Sequence, residues 1–121
     1  MKESNLSREI LLAASREGHR LFVNARGKGF VGGKVIRNPN GSVTLWGAAQ
    51  ITFGLGPDGA SDLCGWTKDG KFAALEVKKP KRGARISEGQ PEFIAAVLRA
   101  GGRAGIVRTV DEALAVLDPS Q

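Results

Sequence analysis

One cysteine, one histidine and no tyrosine occur in the 121 residues, and each scarcity removes a class of chemistry. A single cysteine, Cys64, excludes an internal disulfide and fits a reducing compartment. It lies in an apolar strand run, where a buried inert thiol is expected. The only histidine, His19, has no second His or Cys with which to share a zinc site. It follows a helix end and is expected to be a solvated loop residue. No apolar run is long enough to span a bilayer. The opening Met1-Lys2-Glu3-Ser4-Asn5 lacks the form of a signal peptide. A soluble cytoplasmic protein, without membrane association, is therefore expected. The length suits one domain with one core over 1–121.

Positive charge, by contrast, is abundant: 18 Lys+Arg against 12 Asp+Glu give a net charge of +6. Lys78, Lys79, Lys81, Arg82 and Arg85 crowd one short loop, and Arg16, Arg20, Arg26, Lys28, Lys34 and Arg37 load the first third. Charge of this sign favours a polyanion through phosphate contacts and counterion release. Basic patches are often only solvated surface, so the argument needs a site beside them.

That site is offered by the stretch from Gly54 to Lys78, GLGPDGASDLCGWTKDGKFAALEVK. If Lys68-Asp69-Gly70 forms a three-residue hairpin loop with Gly70 in the left-handed bulge position, Thr67 pairs with Lys71. Trp66 then faces Phe72 as a cross-strand aromatic pair, Cys64 faces Ala74, and Asp62 faces Glu76. Side chains alternate along a strand, so Lys78 shares the face of Glu76. A two-residue Asp-Gly loop would slip the register by one and turn Asp62 to the opposite face. The three-residue loop is the expected one. Adjacent carboxylates repel unless positive charge lies between them, and an oxygen-only ligand set suits Mg2+ or Mn2+. Lys78 is then placed to orient or deprotonate an attacking water. An ordinary hairpin with a surface Glu/Lys pair is the simpler alternative, since E-x-K alone is common. The Asp opposite the Glu, in a basic chain, favours the metal site.

Before this stretch, Ser4 to Glu17 reads as a helix closed by Gly18, with an apolar stripe of Leu6, Ile10, Ala13 and Ala14. Glu9 borders that stripe. It is either a flanking surface residue or a third carboxylate aimed at the site, and the pattern does not decide. A strand is expected over Arg20 to Arg26. Gly27-Lys28-Gly29-Phe30-Val31-Gly32 spells G-x-G-x-x-G, but a dinucleotide site needs a helix directly after it. Lys34 to Arg37 reads as a strand instead, so no nucleotide cofactor is expected. A glycine-rich loop presenting Arg26 and Lys28 to a nucleic-acid backbone is. Asn38-Pro39-Asn40-Gly41 is a strong turn signal between Lys34–Arg37 and Ser42–Leu45, giving a small inserted hairpin. Trp46 beside it is core or contact surface. Ile51-Thr52-Phe53 is a further short extended piece, and Asp58, in Pro57-Asp58-Gly59, is a turn residue.

After the basic loop, Ser87 and Gln90 make a capping-box pattern for a helix whose buried stripe is Phe93, Ile94, Val97 and Leu98, ended by Gly101-Gly102. Gln90 is a cap, a site residue, or both. Arg103 to Arg108 is a short strand, and Thr109 to Glu112 a second capping box before a helix ended by Pro119. The hairpin is apolar on both faces, Leu63, Ala73, Leu75 and Val77 on one, Cys64, Trp66, Phe72 and Ala74 on the other. The expected fold is α/β, a mixed β-sheet sandwiched by helices.

With these residues placed, the chain resembles the VRR-NUC family, the virus-type replication-repair nucleases of the PD-(D/E)XK superfamily. The likeness runs through the helix with Glu9, Leu21-Phe22-Val23-Asn24, Gly56 to Gly65, Leu75-Glu76-Val77-Lys78 with Pro80, Gln90 with Phe93, and Gly101 to Val107. It implies a restriction-endonuclease-like fold, metal binding at Asp62, Glu76 and the Val77 carbonyl, and a catalytic role for Lys78. It also implies that Glu9 and Gln90 are site residues. The family's usual Arg after the Phe of the first strand is Val23 here. Stand-alone members of this size resemble Holliday-junction resolvases that act as homodimers on branched DNA. The implied activity is therefore a Mg2+- or Mn2+-dependent deoxyribonuclease. The competing expectations are a non-catalytic DNA-binding module, or a subunit of a larger nuclease assembly.

Overall fold

In chain order, a helix is followed by seven short strands, then by a helix, a strand and a helix. This is the architecture of a computed structural model, which describes residues 3–56, 61–78 and 89–120. The elements are α1 (Glu3–Arg16), β1 (Arg20–Val23), β2 (Gly27–Val31), β3 (Lys34–Arg37), β4 (Val43–Trp46) and β5 (Ala49–Phe53). They continue with β6 (Leu63–Trp66), β7 (Phe72–Val77), α2 (Gly89–Arg99), β8 (Arg103–Val107) and α3 (Val110–Leu117). The chain divides into two compact units, one of residues 1–24 and 56–121, the other of residues 25–55.

The larger unit is built on a four-stranded sheet in the order β1-β6-β7-β8. β1, β6 and β7 are antiparallel neighbours, and β8 joins β7 in parallel, so the sheet is mixed. β7 is central, and its residues from Ala73 to Val77 are all buried, which is why FAALEV reads as an apolar run without clean alternation. Helix α1 lays Leu6, Ile10 and Ala14, one turn apart, on one face. α3 adds Ala113 and Leu117 there, and together they cover Leu21, Leu63, Ala73, Leu75, Val77 and Val107. Helix α2 covers Cys64, Ala74 and Ala104 on the other face through Val97, with Phe93 and Ile94. The two apolar faces expected for the hairpin are these two layers. Cys64 is buried and unbridged, as its strand position implied.

The hairpin register is the expected one. Trp66 pairs with Phe72, Cys64 with Ala74, and Leu63 with Leu75. The Thr67 N–H donates to Lys71 O (2.8 Å) and the Gly70 N–H to Thr67 O (2.9 Å), with Gly70 at φ +85°. This is the three-residue loop with a left-handed glycine. The aromatic contact differs from expectation: the Trp66 ring meets Phe22, with centroids 5.6 Å apart and tilted by 53°. The strand twist that brings diagonal partners together favours the neighbour on β1. His19 also differs. It is 3 % exposed, and its Nδ1 accepts the Lys68 N–H at 3.0 Å, so it ties the helix end to the hairpin loop and is no solvated residue. One histidine with no possible zinc partner gave no sequence signal for this use.

In the unit of residues 25–55, β2 pairs with β5 and β3 with β4, both antiparallel. The inserted hairpin turns at Gly41 (φ +88°), with the Gly41 N–H on Asn38 O (3.0 Å). Asn38 Nδ2 reaches Ser42 Oγ and Thr44 Oγ1, each at 3.0 Å. The glycine-rich segment expected to be a loop is instead β2, since alternating small residues allow Phe53 to lie across it: a Cβ on Gly27 would stand 3.0 Å from the Phe53 ring. Arg26 and Lys28 are exposed there, and Lys28 lies opposite Thr52. Trp46 is exposed.

In α3, Thr109 Oγ1 caps the Glu112 N–H at 3.0 Å, and the Glu112 carboxylate takes the Arg108 N–H at 2.8 Å. This is the expected capping box, displaced by one residue on its return arm. Close approach of β1 to β6 depends on Gly65, where a Cβ would stand 2.0 Å from Arg20 O and 2.9 Å from Leu21 Cα. Gly65→Ala is therefore expected to destabilise the protein by about 1–3 kcal/mol through forced backbone movement, and Thr109→Ala by about 1 kcal/mol through the lost cap. Urea midpoints measure both. A wild-type midpoint for Gly65→Ala would show that β1 does not approach as described.

Candidate active site

The end of β7 carries the charged groups, and each is positioned by main-chain pairing. One step beyond the Leu63–Leu75 pair, Asp62 stands opposite Glu76. The Val77 N–H donates to Asp62 Oδ2 at 3.1 Å, fixing the carboxylate against the β7 backbone. Asp62 is held from its other side by β1: the Asn24 N–H donates to Asp62 O (2.7 Å), and Asn24 Nδ2 donates to Ser61 O (3.1 Å). Asn24 thus clamps two successive carbonyls, those of Ser61 and of Asp62 itself. Ser61 is buried, and its Oγ finds no hydrogen-bond partner among the described residues. Lys78 Nζ lies 3.4 Å from Glu76 Oε1, with the two side chains 16 % and 3 % exposed. The Lys78 N–H donates to Val107 O (2.9 Å), so the strand ladder still holds the backbone where the lysine leaves it.

Burial is the largest influence on the Glu76 carboxyl, followed by the Asp62 charge and a side-chain hydrogen bond with Asp62. Together they push its pKa up to about 7 against the opposing pull of Lys78. Desolvation and a like charge both disfavour the ionised form, and one ammonium does not offset them. Glu76 therefore holds its proton above the ordinary carboxyl range. A hard divalent cation bound between the two acids would replace that proton, since paired carboxylates suit such an ion.

Four of the expected residues, Asp62, Glu76, Val77 and Lys78, come together at this strand end. Among the described residues no group of three His, Cys, Asp or Glu is found, so Glu9, exposed on α1, does not complete an acidic triad. Arg26 and Lys28 belong to the unit of residues 25–55. Gln90 lies in the first turn of α2, its side chain outside the described set, and Lys79, Lys81, Arg82 and Arg85 lie outside the described residues. Asn24 was given no role by sequence reasoning. Its signal was positional: it follows the last residue of a strand whose register brings it opposite Asp62.

A group raised in the folded state stabilises the protein at low pH and loses that contribution as pH rises through its folded value. Ionising Glu76 should thus lower stability progressively between its ordinary value of 4.5 and about 7, by at most about 3 kcal/mol. In metal-free buffer, Glu76→Gln is expected to raise Tm at pH 8 and to leave it unchanged near pH 4. Thermal melts across this range check it, and a variant less stable than wild type at pH 8 would contradict the assigned strain.

The VRR-NUC domain model matches residues 49–111, just over half of the chain, from β5 through β6, β7, α2 and β8 to the first turn of α3. Among curated proteins, none matches the chain. The matched stretch contains Asp62, Glu76 and Lys78 together with the loop that sets their register. The chain is a member of the VRR-NUC family, a domain of nuclease type that implies DNA as substrate.

Proposed function

We propose that the protein is a divalent-metal-dependent DNA endonuclease whose site is formed by Asp62, Glu76 and Lys78. The observation that carries this reading is the opposed pair of carboxylates, one buried and held toward its neutral form, with an ammonium 3.4 Å from the buried acid. Asp62, Glu76 and the Val77 carbonyl would hold Mg2+ or Mn2+. When bound, such an ion supplies Lewis-acid stabilisation of the phosphoryl oxygens and lowers the pKa of water. The chain's own residues do the rest. Asp62, anchored on the Val77 N–H, fixes one side of the donor set. Lys78 lies beside that set on the same face of β7, where its ammonium can orient the water for attack and meet the charge that develops on phosphate. Lys79, Lys81, Arg82 and Arg85 follow directly in sequence and would contact neighbouring phosphates, with Arg26 and Lys28 adding charge elsewhere.

Branched DNA is the proposed substrate, and a homodimer the proposed working form, because a two-fold pair of sites addresses two strands at once. Among the described residues no helix is long and apolar enough to cross a membrane.

The test is incubation with Mg2+ or Mn2+ and a labelled panel of branched and linear DNAs. Asp62→Asn and Glu76→Gln are expected to abolish cleavage while retaining salt-dependent DNA binding. Lys78→Ala is expected to slow it by about 10²–10⁴-fold. Mn2+ should raise the Tm of wild type more than that of Glu76→Gln. Tight binding without nicking in either metal would identify a non-catalytic binding module.

A further inference from the structure

Among the described residues, helix α2 covers only part of the sheet face that carries Asp62 and Glu76. Helix α2 packs on β7 and β8, burying Ala74 and Ala104 there and Cys64 on the adjoining β6. On the side of β1, two large rings remain open on this same face: Phe22 is 53 % and Trp66 50 % exposed. Register fixes their place. Phe22 pairs with Cys64, two residues along β6 from Asp62, and Trp66 lies four residues from Asp62, so all three side chains project from one face. The ring centroids lie 5.6 Å apart at a tilt of 53°, and each residue remains about half exposed. Exposed Arg20 is the register partner of Trp66 across β1. Phe72 completes the row at 41 % exposure and borders a groove that is also lined by Lys71, Val97 and Gly102. At a rise of about 3.3 Å per residue, Trp66 lies roughly 13 Å along the strand from Asp62, with Phe22 near the midpoint. That span equals about four nucleotides at the stacked rise of ~3.4 Å per strand, and fewer in an extended strand.

We infer that Phe22 and Trp66 form a stacking platform for unpaired bases of single-stranded DNA leading to the Asp62–Glu76 site. The inference rests on the nuclease reading for the strand's destination, while the platform itself is defined by ring exposure and register. Aromatic faces flanked by a cation suit nucleobases, which every sequence offers. A paired and stacked duplex has no free base face to give. The substrate selected is therefore one with an unpaired stretch next to the scissile phosphate, such as a flap, splayed arm or junction opening.

Binding in EDTA separates this inference from catalysis. With a fluorescein-labelled oligothymidine, Trp66→Ala and Phe22→Ala are each expected to weaken binding about tenfold, and Trp66→Phe less than about threefold. Affinity for a blunt duplex of equal length should change less than about twofold. Both rings are half exposed, so the folded state should survive, and a thermal melt verifies it. In Trp46→Phe, Trp66 is the sole tryptophan, and oligothymidine should quench its emission more than the duplex does. Unchanged oligothymidine affinity, equal losses on both DNAs, or absent quenching would overturn the platform. So would a wild-type dimer that Trp66→Ala converts to monomer, since a second copy would then cover the face. Aromatic-dependent binding by a protein that cuts nothing in Mg2+ or Mn2+ would leave the platform standing and remove the nuclease reading.

Discussion

Three hydrogen bonds in the turn between β6 and β7 decide what the other end of the hairpin can do. The Thr67 N–H to Lys71 O, the Gly70 N–H to Thr67 O, and the Lys71 N–H to Thr67 Oγ1 close the loop at three residues. A buried Thr67 and a glycine at φ +85° hold that count, and His19 and Asp118 brace the loop through Lys68. The Asp69 carboxyl, held below its usual range chiefly by the Thr67 hydroxyl, belongs to the same turn. Because strand faces alternate, a one-residue change in loop length would send Asp62 to the side of Leu63 and Leu75 and leave Glu76 alone. The chemistry at one end of the strands is thus set by turn geometry at the other.

Between these ends, the sheet converts register into position. Asp62 is gripped through its carboxylate by β7 and through its carbonyl by β1. Lys78 remains in the parallel ladder with β8 through its N–H on Val107 O. Placement on strand ends and not on mobile loops gives the acids small positional freedom, which a metal with strict octahedral geometry requires. The core beneath (Leu63, Leu75, Val77 and Val107, all essentially inaccessible) is what lets a strand terminate in charge without unravelling.

Much of this was legible because the informative stretch carries several agreeing local signals. Lys-Asp-Gly between two apolar runs specifies the turn, the turn specifies the register, and the register pairs Asp62 with Glu76. The capping box at Thr109 and the 3.6-residue stripe of Leu6, Ile10 and Ala14 are equally local. What was not legible depends on neighbours distant in sequence. The burial of His19 is created by the hairpin loop 49 residues on. The choice of Phe22 over Phe72 as the partner of Trp66 follows from sheet twist and from the placement of β1. The segment Gly27–Val31 becomes a strand only because Ala49–Phe53 arrives to pair with it, and glycine spacing alone read as a loop. Asn24 gains its clamp from carbonyls 37 and 38 residues away.

The electrostatics at Glu76 run against the stability of the fold. A glutamate 3 % exposed, next to another carboxylate and with its carboxyl pushed up despite Lys78, is a poor choice for a strand end if stability alone were selected. An apolar residue would satisfy this position in β7, as Val77 does one step later. Surrounding apolar packing supplies enough stabilisation to hold the two acids close, and their repulsion is the free energy that a bound cation would release. The same reasoning applies to the open half of this sheet face. Burying Phe22 and Trp66 under a helix would stabilise the domain, yet among the described residues both rings stay about half exposed while helix α2 packs over Cys64, Ala74 and Ala104. Two departures from a well-covered sheet, one ionic and one aromatic, share a face, with Asp62 just ahead of β6 and Trp66 at its end. Independent surface imperfections would not be expected to align in that way, whereas a track that leads a nucleic-acid strand to a cation site would produce both.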